Sequence, residues 1–193
     1  MNRIFRGLFV CLFFCLTAPL WGQSPVVIHL DAQKTEIHWT LHDVLHTVQG
    51  TFRLKSGTMT FHPQTGEAQG EFLVDVATGE SGNSARDQKM QDDVLESKKY
   101  PEAVFHPMKL TGTVGAGATQ NVTVEGTFNI HGADHPLSLQ LTVEIHGADA
   151  TATTHFVIPY VAWGMKDPSK FMLKVDKEVS VDVIARGTVA GIR

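Results

Sequence analysis

From Val48 onward the chain alternates apolar and polar residues in one run after another, the period of a strand with one dry face and one wet face. Val122, Val124, Gly126, Phe128 and Ile130 share one face, while Thr123, Glu125, Thr127 and Asn129 take the other. The next run repeats the pattern with Leu137, Leu139, Leu141, Val143 and Ile145, and His131 to His135 between the two reads as a hairpin turn. Comparable runs occur at Gly57-Met59-Phe61, Gly70-Phe72-Val74-Val76, Ala152-Thr154-Phe156-Ile158, and Leu173-Val175 through Val179-Val181-Val183. Gly, Pro, Asn and Asp clusters separate them, so the chain is expected to be all-β, a meander of about eight strands. A closed barrel and a two-sheet sandwich both give this alternation, and periodicity alone does not separate them.

Two segments depart from the period. Ser84-Ala-Arg-Asp87 has the spacing of a capping box, and Met90, Val94 and Leu95 give the short helix that follows one apolar stripe. Between Thr35 and His46 the apolar residues fit a strand (Ile37, Trp39, Leu41) as well as a helix (Ile37, Leu41, Val44, Leu45). Trp163-Gly164 to Ser169 reads as a loop with a tight turn.

The first residues carry Arg3 and Arg6 and then run almost wholly apolar from Leu8 to Leu20, the pattern of a secretory signal peptide cut after Gly22. That run is shorter than the roughly 18 residues a membrane-crossing helix needs. The expected organisation is a signal peptide over 1–22 and one domain over 23–193, placed in the periplasm or outside the cell. Both cysteines, Cys11 and Cys15, fall in the signal, which leaves the exported domain without thiol or disulfide. Two of the 16 basic residues also leave, so 14 face 20 acidic ones, and such a surface disfavours nucleic acid.

Several motifs in fixed order resemble the YceI family, the lipocalin-like, polyisoprenoid-binding proteins of the bacterial periplasm. They are Leu30-Asp31, Val48-Gln-Gly50-Thr-Phe52, Ser56-Gly57-Thr-Met59, Val74-Asp-Val76, Arg86-Asp87, Lys99-Tyr100-Pro101 through Phe105, Gly126-Thr-Phe128-Asn-Ile130-His-Gly132 and His135-Pro136-Leu137. The likeness spans Ile28 to Val189. Lys89, Met90 and Val94-Leu95 depart from the family, which often has His, Leu and paired aromatics there. The resemblance implies an extended eight-stranded antiparallel lipocalin-like barrel, plugged in part by a short helix, with a tunnel for an apolar chain. It implies storage or carriage of an isoprenoid or other long-chain lipid, no cofactor and no catalysis, a homodimer, and at most transient contact with membranes.

On this reading the lipid contacts are expected at Trp39, Phe52, Met59, Phe61, Phe72 and Val74, and further along the chain at Met90, Val94, Leu95, Phe105, Phe128, Phe156 and Trp163. Met165 would add another adaptable thioether beside Met59 and Met90. For any one of these phenylalanines an ordinary packed core is the favoured role, and Trp163 serves either as a cover for the mouth or as loop packing. Gly50, Gly57, Gly70 and Gly126 lie in phase with the apolar faces and leave either room for a ligand or a strand bend. Arg86 and Asp87 suit a lipid head group or a structural cap and ion pair.

Other chemistries find less support. His38, His42 and His46 recur every four residues, which chelates a metal on a helix but spreads the side chains about 13 Å apart on a strand. His131 and His135 approach one another only if their hairpin brings them together, and no metal site is expected. The chain has no Gly-x-Ser-x-Gly motif, and the glycines from Gly112 to Gly117 lack the remainder of a phosphate-binding loop. A ligand-free stress-response or adhesion module and an enzyme acting on a lipid remain as alternatives.

Overall fold

The computed structural model describes residues 24–169 and 174–192. Residues 1–22, expected to form a signal peptide, and Phe171 and Leu173 lie outside the described residues.

Nine strands fill eight wall positions: β1 (Val26–Leu30), β2 (Glu36–His42), β3 (Thr47–Phe61), β4 (Ala68–Glu80), β5 (Glu102–Thr111), β6 (Gln120–Ile130), β7 (Ala133–His146), β8 (Asp149–Ile158) and β9 (Val179–Ala190). Each is antiparallel to its neighbours from β2 through β9, and β9 pairs back to β2, so the sheet closes into a barrel and the sandwich alternative is excluded. β1 and β2 lie end to end in one position. β1 pairs with the far halves of β3 and β9, whereas β2 pairs with their near halves. The break between them is a turn in which the Asp31 carbonyl accepts from the Lys34 and Thr35 amides. This resolves Glu36–His42 as strand, while 43–46 form the turn into β3 with Val44 and Leu45 exposed. In the strand Ile37 and Trp39 point inward and are buried, while Glu36 and His38 point out.

Register follows the alternation. β6 and β7 pair from Gln120–Val143 to Ile130–Ala133 without a break, which keeps the inward residues of both runs in phase. The turn between them is shorter than the sequence suggests, and His131 and Gly132 both take positive φ there. Val175 makes only an isolated bridge to Asp43, and the described residues 159–169 and 174–178 belong to no strand.

β4 and β5 pair over only four residues, from Phe72–Phe105 to Asp75–Glu102. Beyond them a helical segment packs on the end of β4, and Gln91 Nε2 donates to the Val76 and Gly79 carbonyls. This segment starts as α1 (Ser84–Lys89) and widens into a π turn over Met90–Val94, in which the Leu95 amide donates to the Met90 carbonyl five residues back. The cap is Asn83, one residue earlier than the capping box predicts. Its Oδ1 accepts from the Arg86 amide at 3.0 Å, and Ser84 is the first helical residue.

The interior is divided along its axis. At the end carrying the 62–67 and 112–119 turns, Val26, Phe61, Leu110, Val122 and Ile145 are buried and close the barrel down to a void of about 90 Å³. At the opposite end, under α1 and the 159–169 loop, it is hollow.

Candidate lipid-binding cavity

The hollow is a cavity of about 900 Å³, within the range of small-molecule sites. Every strand position contributes to its wall, because inward residues recur at every second place: Phe72, Val74 and Val76 from β4, Ala103 and Phe105 from β5, Leu139 and Leu141 from β7, Val179, Val181 and Val183 from β9. Phe52, Phe72 and Phe156 face inward and yet are only half-buried. Their free surface borders the cavity, where a filled core would have covered it.

Eleven of the thirteen residues expected to contact lipid line this cavity: Trp39, Phe52, Met59, Phe72, Val74, Met90, Val94, Leu95, Phe105, Phe128 and Phe156. The i→i+5 bond of the π turn brings Met90, Val94 and Leu95 to one face, which explains a stripe with two adjacent residues at its end. Met165 also lines the wall.

Phe61 and Trp163 do not. Phe61 lies two residues beyond Met59 on β3, in the solid end of the barrel, and is 2% exposed. Trp163 rides on a turn over the barrel end, in which its amide donates to the Pro159 carbonyl at 3.0 Å. There it stacks on His135 at 4.1 Å and meets the ring of Phe128 at 6.2 Å, both on inward-phase positions of β7 and β6, so it packs at the barrel end beside the cavity without lining it.

The in-phase glycines are covered by neighbouring rings. A Cβ on Gly50 would lie 2.4 Å from the indole of Trp39, one on Gly57 2.9 Å from Phe72, and one on Gly126 2.8 Å from Phe105. They let an aromatic ring lie flat over the next strand, and the ring takes the room that the sequence offered to a ligand. Gly70, with φ of 137°, lets β4 approach the Thr58 carbonyl.

The mouth is polar. His42 and Asp43 border it from the β2–β3 hairpin, Arg86, Lys89 and Asp93 from the helical segment, and Lys166, Asp167 and Ser169 from the loop. Lys166 Nζ lies 3.1 Å from Asp93 and ties loop to helix. Backbone donation from Leu45 holds the Asp43 carboxyl below the ordinary carboxylate range, and the Ser169 hydroxyl does the same for Asp167. Arg86 borders the opening, but its guanidinium also donates to Ser81 Oγ at 2.7 Å and to the Ser81 carbonyl at 3.0 Å. Asp87 is absent from the cavity wall. Its carboxylate accepts from the Ser81 amide at 2.9 Å and from the Ser81 hydroxyl, which makes it a structural partner of the turn before α1.

Within the hydrocarbon wall two buried polar atoms have no partner, Trp39 Nε1 and Thr154 Oγ1. Tyr160 closes the wall near the loop, donating to the Asp176 carbonyl at 2.7 Å, and burial pushes its hydroxyl up to about 12. The histidines find other partners: His38 meets Glu36, His42 meets Thr47, His131 meets Glu96 at 2.7 Å, and His135 stacks on Trp163. Among the described residues no group of three or more His, Cys, Asp or Glu converges as a metal site.

Leu139, Leu141, Val181 and Val183 were legible from the alternation, since they share a phase with residues the sequence singles out. Tyr160, Lys166 and Asp167 lie in a loop and carried no periodic signal.

A closed antiparallel barrel, hollow at one end, lined with hydrocarbon and rimmed with charge, defines the class of lipocalin-like barrels. The YceI-like domain profile matches residues 29–186, and the chain belongs to the YceI family. No curated protein matches it. Among solved structures it is similar to BcnA of Burkholderia cenocepacia, at 19% identity and TM-score 0.63, covering 83% of this chain and 99% of that one. It is also similar to a polyisoprenoid binding domain from Saccharophagus degradans implicated in plant cell wall breakdown, at 15% identity and TM-score 0.62, covering 84% and 98%. The Campylobacter jejuni YceI protein shares the fold at 13% identity and TM-score 0.53, covering 97% and 91%.

Proposed function

We propose that this protein binds lipid, holding a polyisoprenoid or other long apolar chain inside the barrel with its head group at the charged mouth. The cavity carries this reading. At about 24 cal/mol per Å³, a dry void of about 900 Å³ would cost on the order of 20 kcal/mol, more than the whole stability of an ordinary domain. Water that enters through the mouth finds few partners on the hydrocarbon wall, so the wall favours a hydrocarbon occupant. A chain of about 15 carbons gains on the order of 12 kcal/mol from burial before ordering costs, without any charged anchor. Arg86, Lys89 and Lys166 at the rim suit an anionic or polar head. The similar domain described as polyisoprenoid binding supports the same ligand class.

We read the protein as a store or carrier and as a binder, not a catalyst. The basic and apolar pattern of residues 1–22 supports export to the periplasm or beyond, and pairing into a homodimer and brief membrane contact complete the proposal. Neither a ligand-free adhesion role nor a ligand-free stress role uses the cavity. The test is titration of delipidated protein with polyprenols and fatty acids, followed by thermal melting. At a ligand concentration 100 times Kd the melting point should rise by about 5–10 °C. No shift with any chain would overturn the proposal.

A further inference from the structure

Beyond the main cavity the barrel holds a second, smaller void of about 90 Å³ whose walls are apolar throughout. Leu30, Met59, Phe72 and Val124 are among the residues that line both spaces, so they form a neck between them. Past the neck, Val122, Ile145 and Val189 border the small void and are themselves buried, which ends the path.

We propose that this small void is a terminal subsite for the last carbons of the bound chain, with Met59 as its gate. The inference rests on the lipid-binding reading and adds to it a limit on chain length. Protein interiors hold few voids larger than a water molecule, and this one sits in line with a cavity suited to a chain. Taking a methylene as similar to the ~30 Å³ that a water occupies in the liquid, the void admits about three carbons. Methionine suits a gate because its unbranched thioether changes rotamer at low cost. Phe72 faces the same neck and stacks on Phe105 at 6.4 Å, which makes it the fixed side of the passage.

The probes are unbranched saturated fatty acids from C12 to C30, titrated into delipidated protein. Affinity should rise by roughly fourfold per carbon until the tail reaches the closed end, and then level off. Ala150 lines the small void and not the main cavity, so its enlargement fills the subsite alone. Ala150→Val and Ala150→Leu should bring the plateau about two and three carbons earlier. In Ala150→Leu the longest tight ligand should bind on the order of 50-fold more weakly, which is three methylenes' burial. Shorter chains should bind both variants as they bind the wild type, which also reports an intact fold. Met59→Ala should move the plateau to longer chains. If the wild type binds chains but shows no plateau, or if its plateau stays fixed in the Ala150 variants, the subsite is refuted while lipid binding stands. If the wild type binds no chain of any length, the lipid-binding reading falls, and the subsite with it.

Discussion

Replacing Phe61 and Phe156 separately by alanine distinguishes a hollow barrel from a filled one. Both side chains point inward, and a solid core would make their losses similar. Phe61 is 2% exposed and packed on all sides, so Phe61→Ala removes its transfer free energy and opens a new cavity, about 3–5 kcal/mol. For a domain of this size that is a fall in Tm of roughly 10 °C or more. Phe156 is half-buried, with its remaining surface on an existing void, so only part of the transfer energy is lost and no new cavity forms. About 1 kcal/mol, or a fall of about 2–4 °C, follows for Phe156→Ala. Ligand binding should reverse the order: Phe156→Ala weakens a bound chain by roughly five- to tenfold, while Phe61→Ala leaves it nearly unchanged. Differential scanning calorimetry of delipidated protein and titration with one fatty acid give both quantities. Equal losses of Tm would refute the hollow interior.

Thr154→Val replaces an unpartnered buried hydroxyl by a methyl group in a hydrocarbon wall, and denaturant melts should show a gain of about 1 kcal/mol; a loss of that size would mean the hydroxyl is satisfied. The Tyr160 hydroxyl, raised to about 12 chiefly by burial and donating to Asp176, stays protonated through the ordinary tyrosine range. Because its folded value lies above its unfolded value of about 10, the stability it supplies is present below pH 10 and is lost as pH rises towards 12. Melts of the wild type should therefore fall over that window and those of Tyr160→Phe should fall less; parallel curves would contradict this. Asn83→Ala removes the side-chain cap of α1 and should cost about 1 kcal/mol in the same melts, whereas Ser84→Ala should cost little. The reverse ranking would restore Ser84 as the cap.

The barrel was legible because a wall that is dry on one face imposes a period of two, and that period survives in β6, β7, β8 and β9 almost residue for residue. Splitting one wall position between β1 and β2 was not, since a five-residue strand carries too few alternations to stand out. Phe72, Phe128 and Phe156 were placed on the correct face by phase, whereas Trp39 lay in a segment that fits strand and helix alike and Phe105 came with the family resemblance. Phase says nothing of depth, and so Phe61, on the same inward face as Met59, fell in the solid end of the barrel. Trp163 belongs to a loop, where neither phase nor depth is encoded locally. The glycines show the same limit: their positions announced space, but only the packing of Trp39, Phe72 and Phe105 shows what takes it.

The most direct test of the central claim is the electron density inside the barrel of protein crystallised as expressed, without delipidation. The account expects an elongated feature running from the rim at Arg86 and Lys89, between Phe128 and Phe156, down to Met59. Side chains meeting across the axis at the level of Phe156, with no elongated density between them, would contradict it.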